Sequence, residues 1–315
     1  MSEVAVPTVT MAPVLRREQW EHWLAQVPFP HFTQVWCYGE GKRAQGWSVE
    51  RLVFQDETGP LALCQVLVRS VLGLPIVARI NRGPLFLQSA SAEHHASVFG
   101  ALRRRWRFGR RGLLLIAPDL PFNEASSELM RSCGFRERRA GGWGSSLIDL
   151  EPALENIRAS FLSKWRNHLN SAIRAGVEVR MRRDPEAFEW MLERHVSNMA
   201  AKGFAGPKPG FVRAMVAASP DTFWVLQALV GNEPVSGVMG VCLGVRAENF
   251  LSWTNEEGRR TGAHNLLVWN AVSEMKAAGC HTLDLGGYTT SEKYGAYKRA
   301  MNGREYRLAG EWLAI

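Results

Sequence analysis

Arg259-Arg260-Thr261-Gly262-Ala263-His264 opens a stretch that runs on to Thr282-Leu283-Asp284-Leu285-Gly286-Gly287-Tyr288. It closes with Gly295-Ala296-Tyr297-Lys298-Arg299-Ala300-Met301-Asn302-Gly303. Between the first two blocks Leu266, Leu267, Trp269, Val272 and Met275 recur at helical spacing, and Gly279 stands where a glycine stops a helix. A short apolar strand follows and ends on two glycines, which let backbone come close to a ligand. A lysine, Lys298, follows soon after. Helix, strand, glycine pair and lysine in that order read as a site carried by an α/β unit.

Three upstream blocks extend the pattern: Phe32-Thr33-Gln34-Val35-Trp36 followed by Lys42, then Asn81-Arg82-Gly83-Pro84-Leu85, then Lys164-Trp165-Arg166-Asn167 through Ala172 to Gly176-Val177. Taken together with D-L-G-G and G-x-Y-K-R-x-x-N-G, they resemble the Fem family, the aminoacyltransferases that build peptidoglycan interpeptide bridges from aminoacyl-tRNA. The resemblance implies an α/β (α+β) chain of two tandem GNAT-like domains, the acyl-CoA N-acyltransferase fold. It also implies a lysine at position 298 that stabilises an oxyanion. By the same resemblance Lys42 and Arg166 contact phosphates of a nucleotide- or lipid-linked muropeptide. Trp36, Arg82, Gly286, Gly287, Tyr288 and Tyr297 join them in substrate binding. Many members carry a long coiled-coil arm. This chain has no heptad run to build one, like the compact members.

The chain has 315 residues, comfortable for two domains, and the expected boundary is at Leu150, giving domains 1–150 and 151–315. Hydrophobic content of 46% with 22% charged residues is ordinary globular composition. There is no apolar run of membrane-spanning length and no signal-peptide pattern at the N-terminus. Cys37, Cys64, Cys133, Cys242 and Cys280 are scattered without metal spacing, which fits reduced thiols in a cytoplasmic protein and no metal site. A formal charge of +8 suggests a polyanionic partner, whether tRNA, a nucleotide-linked precursor or the inner membrane surface. Much of that excess lies in Arg103-Arg104-Arg105-Trp106-Arg107-Phe108-Gly109-Arg110-Arg111. That run is either a solvated helix end or a contact for RNA or lipid phosphate.

Periodicity predicts helices over 17–24, 92–105, 123–132, 157–175, 185–202, 208–218 and 263–278. Strands are expected over 49–54, 61–71, 76–80, 113–116, 146–150, 224–230, 235–245, 248–254, 282–285 and 306–314. A turn is expected at Arg246-Ala247. The similarity of the stretches 131–150 and 276–287 hints at internal duplication.

Aminoacyl transfer needs a neutral amine, a carbonyl held close, and a stabilised oxyanion. Lys298 suits the last task as a compact cation in a chain that otherwise favours arginine, though it could also be a surface lysine. Asp284 is assigned to the catalytic set, to orient the acceptor amine or pair with Lys298, or else it caps the turn. Arg259-Arg260-Thr261-Gly262-Ala263-His264 nearly matches the CoA pyrophosphate motif at a helix N-terminus, but His264 fills its last small position. That argues for an aminoacyl-tRNA donor over acyl-CoA, with no separate cofactor. His264 reads as a general base or a polar first-turn residue. Trp36 and Trp47 read as core or cleft walls, or as stacking platforms. Two other functions compete: an acyl-CoA- or carrier-dependent N-acyltransferase of exopolysaccharide or specialised metabolism, and a non-catalytic RNA- or membrane-surface-binding relative using the arginine run.

Overall fold

The structure, a computed structural model, describes residues 8–106, 112–287 and 292–314, with backbone alone for 292–294. The chain forms β1 (Thr10–Pro13), α1 (Arg17–Leu24), α2 (Trp36–Arg43), β2 (Ser48–Asp56), β3 (Gly59–Val71), β4 (Leu74–Asn81), β5 (Leu85–Phe86), α3 (Ala92–Arg105), β6 (Leu113–Ala117), α4 (Glu124–Ser132) and β7 (Phe135–Ala140). It continues with β8 (Gly144–Asp149), α5 (Leu154–Ser160), α6 (Ser163–Arg174), β9 (Glu178–Arg182), α7 (Pro185–Lys202), α8 (Pro209–Ala218), β10 (Phe223–Val230), β11 (Glu233–Leu243) and β12 (Arg246–Thr254). Last come α9 (Glu256–Thr261), α10 (Ala263–Ala277), β13 (Thr282–Asp284), α11 (Glu292–Arg299), β14 (Arg304–Arg307) and β15 (Gly310–Ala314).

Two compact units result. The first holds the elements up to β7, the end of α8 and the returning β15, and the second runs from Gly144 to Tyr306 apart from that piece of α8. In the first sheet the strand order is β1-β2-β3-β4-β6-β15-β7, with β5 paired to β3. Leu61 through Val68 of β3 are all buried, as befits a central strand covered on both faces. Helix α3 crosses over from the antiparallel strands to bring β6 parallel to β4. It buries Val98, Phe99, Ala101 and Leu102 in one core with Phe54, Ile80, Ile116 and Trp312.

The second sheet has the order β14-β8-β13-β12-β11-β10-β9. Here α10 is the crossover that makes β13 parallel to β12. Its Leu267, Val268, Ala271, Val272 and Met275 pack with Trp165 and Leu169 of α6 and Trp224 and Leu226 of β10. The two units thus repeat one plan: antiparallel strands, a helical crossover, then a parallel strand. The duplicate of α10-β13 is α3-β6, so the expected kinship between 131–150 and 276–287 pairs elements that are not topological counterparts. One strand is exchanged in each unit. β8 lies antiparallel beside β13, and β15 lies antiparallel beside β6.

This exchange corrects the expected domain line. The chain leaves the first unit at Trp143, ahead of Leu150, and β8 belongs to the second sheet. The expected strand 306–314 is two strands, because β14 completes the second sheet while β15 returns to the first. The helix expected over 157–175 breaks at Phe161 and Leu162, whose backbones are extended while Phe161 is buried against Trp165. The turn expected at Arg246-Ala247 lies at Gly244-Val245, and Arg246 begins β12 opposite Leu243. Helix α2 was not foreseen because Gly39 and Gly41 lower its propensity. Gly39 is needed there, since a Cβ would meet Arg51 and Gln65 side-chain atoms at 2.4 Å. Among the described residues no helix is long and apolar enough to cross a membrane, and α7, at 18 residues, is no coiled-coil arm.

Trp312 of β15 is fully buried in the first core. Trp312→Ala should therefore cost about 3–5 kcal/mol, measured as a shift in the urea midpoint. A chain ended at Leu150 lacks β15 and should show no cooperative unfolding transition.

Candidate active site

Asp284, the last residue of β13, is wholly buried. Its carboxylate accepts hydrogen bonds from Arg246 Nη2 at 2.5 Å, from the Tyr306 hydroxyl at 2.7 Å, from the backbone N–H of Gly286 at 2.9 Å and from Ser145 Oγ. Ser145 also approaches the Gly286 carbonyl at 2.7 Å. Of the three expectations for Asp284, this geometry displays turn capping, and the Asp284 charge also acts on Lys298. Asp284 positions the strand end, and full burial keeps it from contact with an acceptor amine. Burial tends to lower the Arg246 pKa, but the charges of Asp284, Tyr306 and Glu248 outweigh it and hold it above the usual arginine value.

The capped turn presents two carbonyls to Lys298 on α11. Its Nζ donates to the Gly286 carbonyl and, at 3.1 Å, to that of Gly287. Gly286 has φ +76°, and a Cβ there would meet the Asn249 carbonyl oxygen at 2.5 Å, so no other residue fits. Burial pushes the Lys298 ammonium down to about 8, opposed by Asp284 and Glu248. At pH 7 about nine-tenths of it stays charged. Lys298 is therefore an oriented, partly desolvated cation and no solvated surface lysine. Tyr297 turns the other way, packing against Trp165 and against His264 with centroids 5.7 Å apart. Tyr288 lies outside the described residues.

His264 stands in the first turn of α10, with Nδ1 3.3 Å from Ser236 Oγ. Burial, and then the charges of Lys298 and Lys202, push its imidazole down to about 4. It is neutral at pH 7 and a weak base, which suits a polar first-turn residue. The helix N-terminus itself is covered: a Cβ on Gly262 would lie 2.5 Å from the His168 carbonyl oxygen of α6, and Asn265 Nδ2 donates to the Trp165 carbonyl at 3.3 Å. A carbonyl oxygen repels phosphate where a GNAT enzyme would seat CoA pyrophosphate on free N–H groups. The residues present do not fit that group.

The other predicted residues separate by unit. In the second, Arg166 of α6 bonds Ser163 Oγ at 3.3 Å. In the first, Trp36 and Lys42 share α2 but serve different surroundings. The Arg51 guanidinium stacks on Trp36, 3.5 Å from the ring centroid. Trp36 also helps line a cavity of about 540 Å³ with Glu40, Arg43, Glu50 and Arg105, and Lys42 does not. Lys42 instead bonds Gln45 at 3.0 Å and sits 5.4 Å from the Tyr38 ring centroid. Burial and the charges of Arg79 and Arg69 lower its pKa. Tyr38 also feels Arg82 and Arg79, though burial raises its phenol pKa on balance. Arg82, at φ 47°, stacks on Trp143 at 3.9 Å. Lys42, Arg79 and Arg82 thus form a cationic cluster around Tyr38, and the role of Arg79 and Tyr38 was not read from the sequence. Nor was that of Ser145, Arg246 and Tyr306, which converge on Asp284 from β8, β12 and β14. Among the described residues no cluster of His, Cys, Asp or Glu could hold a metal ion.

With this geometry in place the class can be stated. Residues 159–299 match the family model for the acetyltransferase (GNAT) domain, and this segment has the fold of that domain. The particular architecture is Fem-like: the chain superposes on FemX with a TM-score of 0.83 at 13% identity, covering 97% of each chain. A tandem GNAT protein from the clavulanic acid biosynthesis pathway gives 0.55 at 11% identity, over 97% of this chain and 98% of that one. L-PGS from Bacillus licheniformis gives 0.60 at 11% identity, over 94% and 91%. A comparison with curated protein sequences yields no match.

Two measurements check the site. Asp284→Ala leaves the Arg246 charge buried without its carboxylate, and should destabilise the protein by about 3–5 kcal/mol in chemical denaturation. Acylation of Lys298 by an amine-reactive ester, followed by mass spectrometry, should rise with pH about a midpoint near 8, well below that of ordinary lysines.

Proposed function

We propose that this protein transfers an aminoacyl group from aminoacyl-tRNA to an amine of a nucleotide- or lipid-linked peptidoglycan precursor, in the cytoplasm. The observation that carries the reading is the Lys298 ammonium, aimed by the carbonyls of Gly286 and Gly287 at the end of β13. In the reaction the acceptor nitrogen attacks the ester carbonyl, and a C–N bond forms as the C–O bond to the ribose breaks. The proton lost by the amine ends on the departing ribose oxygen. Negative charge gathers on the carbonyl oxygen in between, and a fixed cation in a partly dehydrated place lowers that barrier. The covered N-terminus of α10 supports a tRNA ester over a CoA thioester as donor. The cationic cluster of Lys42, Arg79 and Arg82 supports phosphate binding within the first unit, and Arg166 keeps the phosphate role that the family resemblance gives it. The likeness to FemX supports the cell-wall acceptor.

The test is transfer of radiolabelled amino acids from a charged tRNA pool into UDP- or lipid-linked muropeptide. Lys298→Ala should lower the rate by about 10²–10³-fold. The catalytic form of Lys298 is the protonated one, so the wild-type rate should fall as pH rises through about 8, and the variant should lack that alkaline limb. Acylation seen only with acyl-CoA would refute the reading.

A further inference from the structure

The β3–β4 hairpin does not behave like a surface turn. Its two-residue loop places Leu72 at φ 51° and Gly73 at φ 80°, with Val71 paired to Leu74. Asparagine, aspartate or glycine suits the first position of such a turn. Here a leucine occupies it in the left-handed region and is 98% exposed. Leu74 is 70% exposed, Val71 55% and Ile76 47%. Strain and hydration are both unfavourable to the free protein, and among the described residues four aliphatic side chains at one tip form an exposed apolar patch.

The same end of the first sheet gathers arginines. Val77 of β4 pairs with Leu113 of β6, and a Cβ on Gly112 would meet the Ile76 carbonyl at 2.4 Å. The start of β6 therefore lies beside the hairpin. Arg103 and Arg104 are exposed in the last turn of α3, and Arg103 lies against Gly134, just ahead of the exposed Arg136 of β7. Arg69 is exposed on β3 and stacks over Trp47 at 4.8 Å. Arg105 is paired to Glu50 at 2.5 Å, and Arg69 also donates to the Gln45 carbonyl at 2.9 Å. In the sequence no Asp or Glu lies between Glu57 and Glu93, or between Glu93 and Asp119.

We infer that this end of the first unit docks on an anionic phospholipid bilayer, with Leu72 and Leu74 entering the acyl region and the arginines meeting lipid phosphates. An apolar tip ringed by cations matches the two layers of such a surface. Trp47 under Arg69 suits the interface between them. RNA is the poorer fit, because aliphatic side chains offer bases no stacking platform. The inference does not depend on the proposed reaction, for Lys298 lies in the other unit.

Flotation of the full chain with vesicles tests it. Phosphatidylcholine vesicles containing phosphatidylglycerol should bind the protein at least about tenfold more tightly than phosphatidylcholine alone, and the difference should shrink in high salt. Leu72→Asn combined with Leu74→Ser should weaken binding by about tenfold or more. Asparagine suits the turn, so its unfolding midpoint should hold or rise. Arg103→Gln with Arg104→Gln should weaken binding and flatten the salt dependence, while Lys298→Ala should leave it unchanged. The inference is overturned if the hairpin variant binds as wild type does. It is equally overturned if no vesicle binds while tRNA is retained through the same arginines.

Discussion

A carboxylate with no access to water holds the second sheet to its function. Asp284 on β13 receives Arg246 from β12, Tyr306 from β14 and Ser145 from β8, so one buried charge joins four strands. A charge taken out of water is tolerable only when its partners are fixed in place. Those strands must therefore keep their register for the carboxylate to be satisfied, and its remaining bond, to the Gly286 N–H, sets the turn that follows. The direction of Lys298 is inherited from that turn.

The same neighbourhood holds a helix N-terminus packed against a neighbouring helix. The N-terminus of α10 is favourable ground for an anion, yet α6 places a carbonyl over it and His264 occupies the first turn. His264 and Lys298 divide the labour, because burial and mutual repulsion keep the imidazole neutral while nearby carboxylates keep the amine protonated.

How much of this the sequence revealed depends on how local the determinants are. Gly286, Gly287 and Lys298 lie within one strand-turn-helix segment, and their residue types announce a close approach and a cation. Asp284 was visible too, with turn capping among its readings, but not the partners that fix it. Its partners come from β8, β12 and β14, and which residues face each other across a sheet is a matter of register that no local pattern records. Arg246 looked like a turn residue because the hairpin before it is two residues earlier than expected. α2 was hidden by glycines whose purpose is to admit Arg51 and Gln65. The pattern of 306–314 announced one strand where there are two, because a strand's pattern says nothing of which sheet it will join.

That last strand alters the order in which the molecule can be made. β6 and β7 flank the place of β15, so the edge strand β7 is cut off from the rest of the first sheet until Gly310–Ala314 has left the ribosome. The part translated first is among the last to be completed. Throughout synthesis the edges of β6 and β7 stand open to any passing strand, which makes the nascent first half a natural client for chaperones. It also makes the exchange of β15 between two chains a direct route to a domain-swapped dimer.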